Sequence, residues 1–249
     1  MTSSTRRVQL EPGFLLHHYP WRDSSRILEV LTRSHGRIAL FARAVRRSGS
    51  GLPAALQPFG ALLLSWSGRG EAARLTAVER SPAVNAALTG DRLMSGFYAN
   101  ELLIKLLPRN DAHPELFEAY GALLAGLAHP SKPAVRALRI FEKRLLESLG
   151  YGLSLEGESG SGRRFEASRS YRYRLDAGAE AIDGVAEGSL IFCGASLLSL
   201  AREELDDAAS LADARRLLRA ALDQCLDGRE LRTREVVRAM RAHAAHDRG

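Results

Sequence analysis

The chain has 249 residues, 45% apolar and 26% charged, a composition that fits one large or two small globular domains and excludes disorder. Two cysteines, Cys193 and Cys225, exclude a disulfide framework and a four-thiolate metal site, and no apolar run approaches the roughly 20 residues of a membrane span. The formal net charge is +6 and its excess is early: residues 1–80 carry 12 basic and 5 acidic side chains, residues 81–249 carry 23 and 24, the asymmetry of a polyanion-binding module joined to a near-neutral one.

The opening MTSSTRR has no apolar core of the secretory kind, so a cytoplasmic protein is expected. Short apolar segments follow. Arg7–Leu10 and Phe14–Tyr19 read as strands separated by a turn at Glu11-Pro12-Gly13. Ser25–Thr32 is the next strand and Ser34-His35-Gly36 a hairpin turn. Arg37–Val45 has period two, which puts Arg37, Phe41 and Arg43 on one face. Arg46-Arg47-Ser48-Gly49-Ser50-Gly51 is a basic loop. Ala61–Trp66, a turn at Ser67-Gly68-Arg69-Gly70, and Ala72–Glu79 complete five strands. That number in so short a stretch predicts a small barrel, the OB fold first and an SH3-like barrel second.

From residue 83 the period becomes helical. Asp91–Leu107 spaces Met94, Tyr98, Leu102 and Leu106 along one stripe, and Pro108 ends it. Pro114 opens a second helix and Pro133 a third, which Gly150 caps. Glu156–Gly162 is a loop. Phe165–Leu175, with Tyr171 and Tyr173 among arginines, predicts a short β ribbon. Helices resume at Ser196–Leu205, Leu211–Leu226 and Arg232–Ala245. The expected fold class is α+β: an OB-fold barrel over 1–80, then an α-helical domain over 81–249 with a ribbon insert at about 152–192.

No catalytic constellation is visible. None of Lys105, Lys132 and Lys143 follows a glycine, so no GxxxxGK loop cradles phosphate. Gly68-Arg69-Gly70 lacks the third glycine and the helix of a dinucleotide site. His243 and His246 share a helical face without a third metal ligand. Gly157-Glu158-Ser159-Gly160-Ser161 lacks the strand and helix of a nucleophile elbow. Cys193 and Cys225 read as small buried hydrophobes. The expectation is a binding protein without metal or cofactor.

A site for single-stranded nucleic acid combines a positive groove with aromatic platforms for bases. Arg37, Arg43, Arg46, Arg47, Arg69 and Arg74 supply the charge on the barrel candidate, and Phe41 and Trp66 are the aromatic candidates, Trp66 reading more readily as core. His17 and His18, adjacent in a strand, point to opposite faces, which leaves one of them beside such a surface.

Taken in order, these features resemble the RecO family of bacterial recombination mediators, nearly end to end. The resemblance rests on Gly13-Phe14-Leu15-Leu16-His17-His18-Tyr19-Pro20-Trp21-Arg22-Asp23-Ser24-Ser25, Leu31-Thr32 with His35-Gly36-Arg37, Ala42–Ser48, Leu56-Gln57-Pro58-Phe59, Tyr98–Leu103, Phe141–Tyr151 and Gly228–Glu235. Two departures stand out. Gly152–Phe192 contains none of the four cysteines that hold zinc in many members, so the chain resembles the zinc-free, proteobacterial-type branch, and Val45 stands where a glycine is usual in the basic loop.

The resemblance implies a protein that binds single- and double-stranded DNA without sequence preference. It also implies annealing of complementary strands and action with RecR. Such proteins engage the acidic C-terminal tail of single-stranded DNA-binding protein (SSB), helping RecA replace it. DNA contact is expected at Arg37, Phe41, Arg43, Arg46, Arg47, Arg69 and Arg74. For the tail, the basic stripe Arg136, Arg139, Lys143 with Arg109 and Lys132 is the expected pocket. The protein would be cytoplasmic and nucleoid-associated. Alternatives are an interaction scaffold with an accessory barrel and an RNA-binding OB protein.

Overall fold

In a computed structural model of the chain, residues 7–21, 25–43, 56–68, 73–85, 87–131, 133–182 and 190–246 are described. Arg46, Arg47, Arg69 and Lys132 lie outside the described residues. The elements are β1 (Arg7–Trp21), β2 (Ser25–Thr32), β3 (Gly36–Arg43), β4 (Gly60–Ser67), β5 (Ala73–Asn85), α1 (Gly90–Leu106), α2 (Pro114–Ala128), α3 (Ala134–Ser148), β6 (Ser170–Arg174), β7 (Gly178–Ile182), β8 (Ile191–Cys193), α4 (Gly194–Ala201), α5 (Ala208–Leu226) and α6 (Arg232–His246). By its own packing the chain divides into two compact units, Met1–Lys132 with Leu231–Gly249, and Pro133–Glu230.

In the first unit the alternating apolar residues close a five-stranded OB-like barrel in the order β1-β2-β3-β5-β4, with β4 returning to β1. All pairings are antiparallel except β3 with β5, a short parallel seam of Leu40 with Ala73 and Phe41 with Arg74. Leu15, Leu28, Val30, Ile38, Leu40, Ala42, Leu62, Leu64 and Trp66 fill its interior. Trp66 is therefore core, packed edge-on to His35, and is no base platform.

Two strand boundaries differ from those expected. β1 runs unbroken through Glu11-Pro12-Gly13, where Pro12 and Gly13 pair with Leu63 and Leu62. The turn-forming residues are absorbed by an irregularity between Val8 and Glu11, with Leu10 at φ 51°. Glu11 instead caps the β2–β3 hairpin, its Oε1 accepting from the Ser34 amide at 2.6 Å. β5 also runs on to Asn85, because Gly60 at the head of β4 pairs with that residue.

Helices α1, α2 and α6 belong to the same unit. Tyr120 of α2 donates to Asn100 Oδ1 of α1, and Asn100 Nδ2 donates to the Leu16 carbonyl of β1 at 2.9 Å. All three groups are buried, so a satisfied polar chain fixes the helices on the strand. Phe14 packs against Phe117 and Tyr120, with ring centroids 5.0 and 5.1 Å away. Glu101 of α1 accepts from the amides of Arg232 and Thr233, both at 2.9 Å, and from the Thr233 hydroxyl at 2.7 Å, capping α6 from a distant part of the chain. Burial would raise the Glu101 carboxyl. The amide and hydroxyl of Thr233, the Arg232 amide and nearby Lys105 outweigh it and hold Glu101 below the ordinary glutamate range.

In the second unit α3 buries Leu138, Phe141, Leu145 and Leu146. Gly150, at φ 79°, ends it as expected, and the Tyr151 amide donates back to the Leu146 carbonyl. The ribbon is a three-stranded sheet, β7-β6-β8, in which Tyr171 and Tyr173 point inward while Arg172 and Arg174 face solvent. Against expectation Cys193 is exposed and Cys225 half-buried. Cys193 closes β8 with its Sγ donating to the Ala167 carbonyl.

Candidate nucleic-acid interface

The outward face of the barrel is read along its register. Tyr19 pairs with Ile27, Ile27 with Phe41, Phe41 with Arg74, Arg74 with Ser67 and Ser67 with Arg7. Directly paired residues share a face, so these six form one spiral row around the barrel. None of the six is buried. One step nearer the barrel end, Trp21 pairs with Ser25 and Ser25 with Arg43. Tyr19 and Trp21 are 44% and 47% exposed. Arg43 and Arg74 are exposed, and among the described residues no carboxylate pairs with them.

One step the other way the face is covered on β2 and β3, though His17 of β1 stays exposed. His17 pairs with Glu29 and Glu29 with Ala39, then Phe14 with Leu31 and Leu31 with Arg37. Glu29 and Leu31 are buried although they point away from the interior. Arg37 donates to Glu29 Oε2 at 2.8 Å and, through Nε and Nη2, to the Leu107 carbonyl at 3.0 and 2.9 Å. Arg109 reaches the other oxygen of Glu29. The shared parity of Arg37, Phe41 and Arg43 is thus real, but the Arg37 guanidinium is spent inside the fold.

Sequence reading missed Tyr19 and Trp21, for a definite reason. The pairing of β1 with β2 shifts between Leu15 and His17, leaving Leu16 as the extra residue of a bulge. A one-residue slip flips every later side chain to the other face. Straight alternation from Phe14 would turn Tyr19 and Trp21 inward with Leu15, whereas the bulge brings them out beside His17, 4.5 Å from the Tyr19 ring. No residue in Leu15-Leu16-His17 announces it. His18, on the inward side, is held below the usual histidine range by burial, with Arg26 and His17 adding to it.

The basic stripe of α3 is partnered within the second unit. Arg136 donates to the carbonyls of Glu203 and Glu204. Arg139 is buried beside Glu142, 3.0 Å away. Lys143 lies 2.9 Å from Glu147 and 3.2 Å from Glu203. Burial would raise Glu203, but Arg144 and Lys143 keep its carboxyl low and charged. Arg109 belongs to the first unit and the α3 cations to the second. Among the described residues no group of three or more His, Cys, Asp or Glu could hold a metal ion, and no helix is long and apolar enough to cross a membrane.

A closed five-stranded barrel followed by helices and a small three-stranded sheet is an α+β fold with an OB-like N-terminal part. Residues 8–81 match the family model "Recombination protein O N terminal" and residues 87–235 match "Recombination protein O C terminal". Relatives that bear the name DNA repair protein RecO include three from different bacteria. The one from Aromatoleum aromaticum is 38% identical over 238 residues, covering 96% of this chain and 98% of its own. That from Methylococcus capsulatus is 42% identical over 233 residues, covering 94% of each. That from Alkalilimnicola ehrlichii is 45% identical over 238 residues, covering 94% and 92%. The chain belongs to the RecO family.

Proposed function

We propose that this protein is a non-enzymatic recombination mediator of DNA repair. It holds single- and double-stranded DNA without sequence preference on the uncovered rows of the barrel and anneals complementary strands. With RecR it helps RecA replace SSB at gaps, in the cytoplasm and about the nucleoid. The observation that carries this reading is that Arg43 and Arg74, exposed and without a carboxylate partner among the described residues, stand beside exposed rings on a barrel of this family. Phosphate binding needs fixed positive charge, and bringing two polyanions together needs their repulsion screened, with no bond made or broken. Arg43 and Arg74, with Arg7 at the end of the same row, are described cations of the surface, and Arg46, Arg47 and Arg69 are its further candidates from sequence. Phe41 lies between them, pairing with Arg74. Arg37 is left out, because its donors are engaged.

An acidic SSB tail reaching the α3 stripe has to displace Glu147 and Glu203 from Lys143. The stripe is therefore a site of exchange rather than an open basic pocket in this reading.

The test is annealing of two complementary labelled strands coated with SSB, with the protein added and salt varied. Acceleration that fades as salt rises is expected. No acceleration by the folded protein would overturn the reading in favour of a scaffold. Equal-length RNA that competes better than DNA would shift it to RNA.

A further inference from the structure

Tyr19 and Trp21 are large rings turned to solvent by the bulge in β1, and neither takes part in the barrel interior. They stand two residues apart on one strand, hence about 7 Å apart on one face. His17 packs edge-on against Tyr19 and limits its freedom. Each ring begins a register row that leads to a cation: Trp21 through Ser25 to Arg43, and Tyr19 through Ile27 and Phe41 to Arg74. Charge and ring are therefore interleaved across neighbouring strands. Phosphates attract arginine whether the bases are paired or not, but only an unpaired base offers its face to a ring.

We propose that Tyr19 and Trp21 are base-stacking platforms, so that this surface holds single strands by bases and phosphates together and duplex by phosphates alone. The proposal rests on the reading of these rows as the DNA surface.

The experiment uses the full chain and three probes: an oligothymidylate, an abasic strand of equal length and a blunt duplex. The unmodified protein should bind oligothymidylate at least about tenfold tighter than the abasic strand, given the size of base–ring stacking. In the double variant Tyr19→Ala, Trp21→Ala that gap should shrink to about twofold or less, with abasic and duplex affinities and the salt slope unchanged. Both side chains are exposed, so the melting temperature should hold within a few degrees. A second readout comes from the two tryptophans, Trp66 being buried in the barrel. Emission should be quenched by oligothymidylate and not by the abasic strand, and Trp21→Phe should abolish the change while keeping most of the affinity.

Equal affinity for the abasic strand, or an equal loss on all three probes in the double variant, would overturn the stacking role alone. Arg43→Glu with Arg74→Glu distinguishes the other failure: if that variant binds every probe as tightly as the unmodified protein, the DNA surface itself is wrong and the stacking role falls with it.

Discussion

Arg37 and Arg43 lie on the same face of β3, and helices treat them differently. At the Arg37 end the segment after α1 closes over the sheet, and the guanidinium is shared between Glu29 and the Leu107 carbonyl, with Arg109 on the same carboxylate. At the Arg43 end the described residues leave the arginine exposed, next to Ser25 and Trp21 in the register. Buried charge has to be paired, so it acts on stability. Exposed cations gain little from their surroundings and remain available to a polyanion. Counting arginines along a strand cannot separate the two roles, whereas knowing which rows a helix covers does.

The sharpest way to break this comparison is at Glu29. Glu29→Gln leaves the Arg37 charge with little compensation, and unfolding by denaturant should show a loss of about 3 kcal/mol. Pairing that change with Arg37→Met should recover most of it, and a double variant no better than the single would mean that the cluster is not what joins the barrel to its cover. A similar loss, up to about 3 kcal/mol, is expected for Gly36→Ala: Gly36 has φ 67°, and a Cβ there would overlap the Asp111 carbonyl.

A smaller effect, about 1 kcal/mol, should follow Glu101→Ala, which removes the remote cap of α6. Its pH dependence has a defined sign. The folded carboxyl titrates below the ordinary value of 4.5, so the stabilisation is complete above that value and is lost as pH falls through the folded one. The gap between the parent and Glu101→Ala should therefore be constant near neutrality and close in acid. A gap that widened in acid would refute the capping role.

The smallest change in stability, within about 0.5 kcal/mol, is expected for Arg43→Glu with Arg74→Glu. DNA binding should nevertheless weaken, and the salt slope on a single strand should lessen by about 0.7 for each phosphate that is no longer neutralised. A large loss of stability in this variant would place these arginines with Arg37.

Much of the architecture is legible in the residues. The apolar-rich segment Ser25–Thr32 gives β2 at its observed bounds, Pro114 and Pro133 mark the starts of α2 and α3, and Gly150 marks an end. The site is legible only in part. Phe41 and Arg43 share an outward face, as alternation implies, and the β3–β5 pairing sets Arg74 beside Phe41, but Tyr19 and Trp21 depend on a bulge that no residue type announces. The engagement of Arg37 depends on a carbonyl 70 positions away, and Trp66 joins the core because Val8 and Leu75 flank it in register. The change of charge near residue 80 does not coincide with where packing divides the chain, since α1, α2 and α6 pack in the same unit as the basic strands.

That division sets an order on synthesis. The chain leaves the first unit at Lys132 and re-enters it at Leu231, so the helix capped by Glu101 emerges from the ribosome after the whole of Pro133–Glu230. At usual translation rates the barrel and α1 wait roughly 6–30 s for it. The unit begun first is completed last, with the amides of Arg232 and Thr233 as its closing partners, and a nascent chain released before residue 233 would leave Glu101 without the groups it holds in the finished fold.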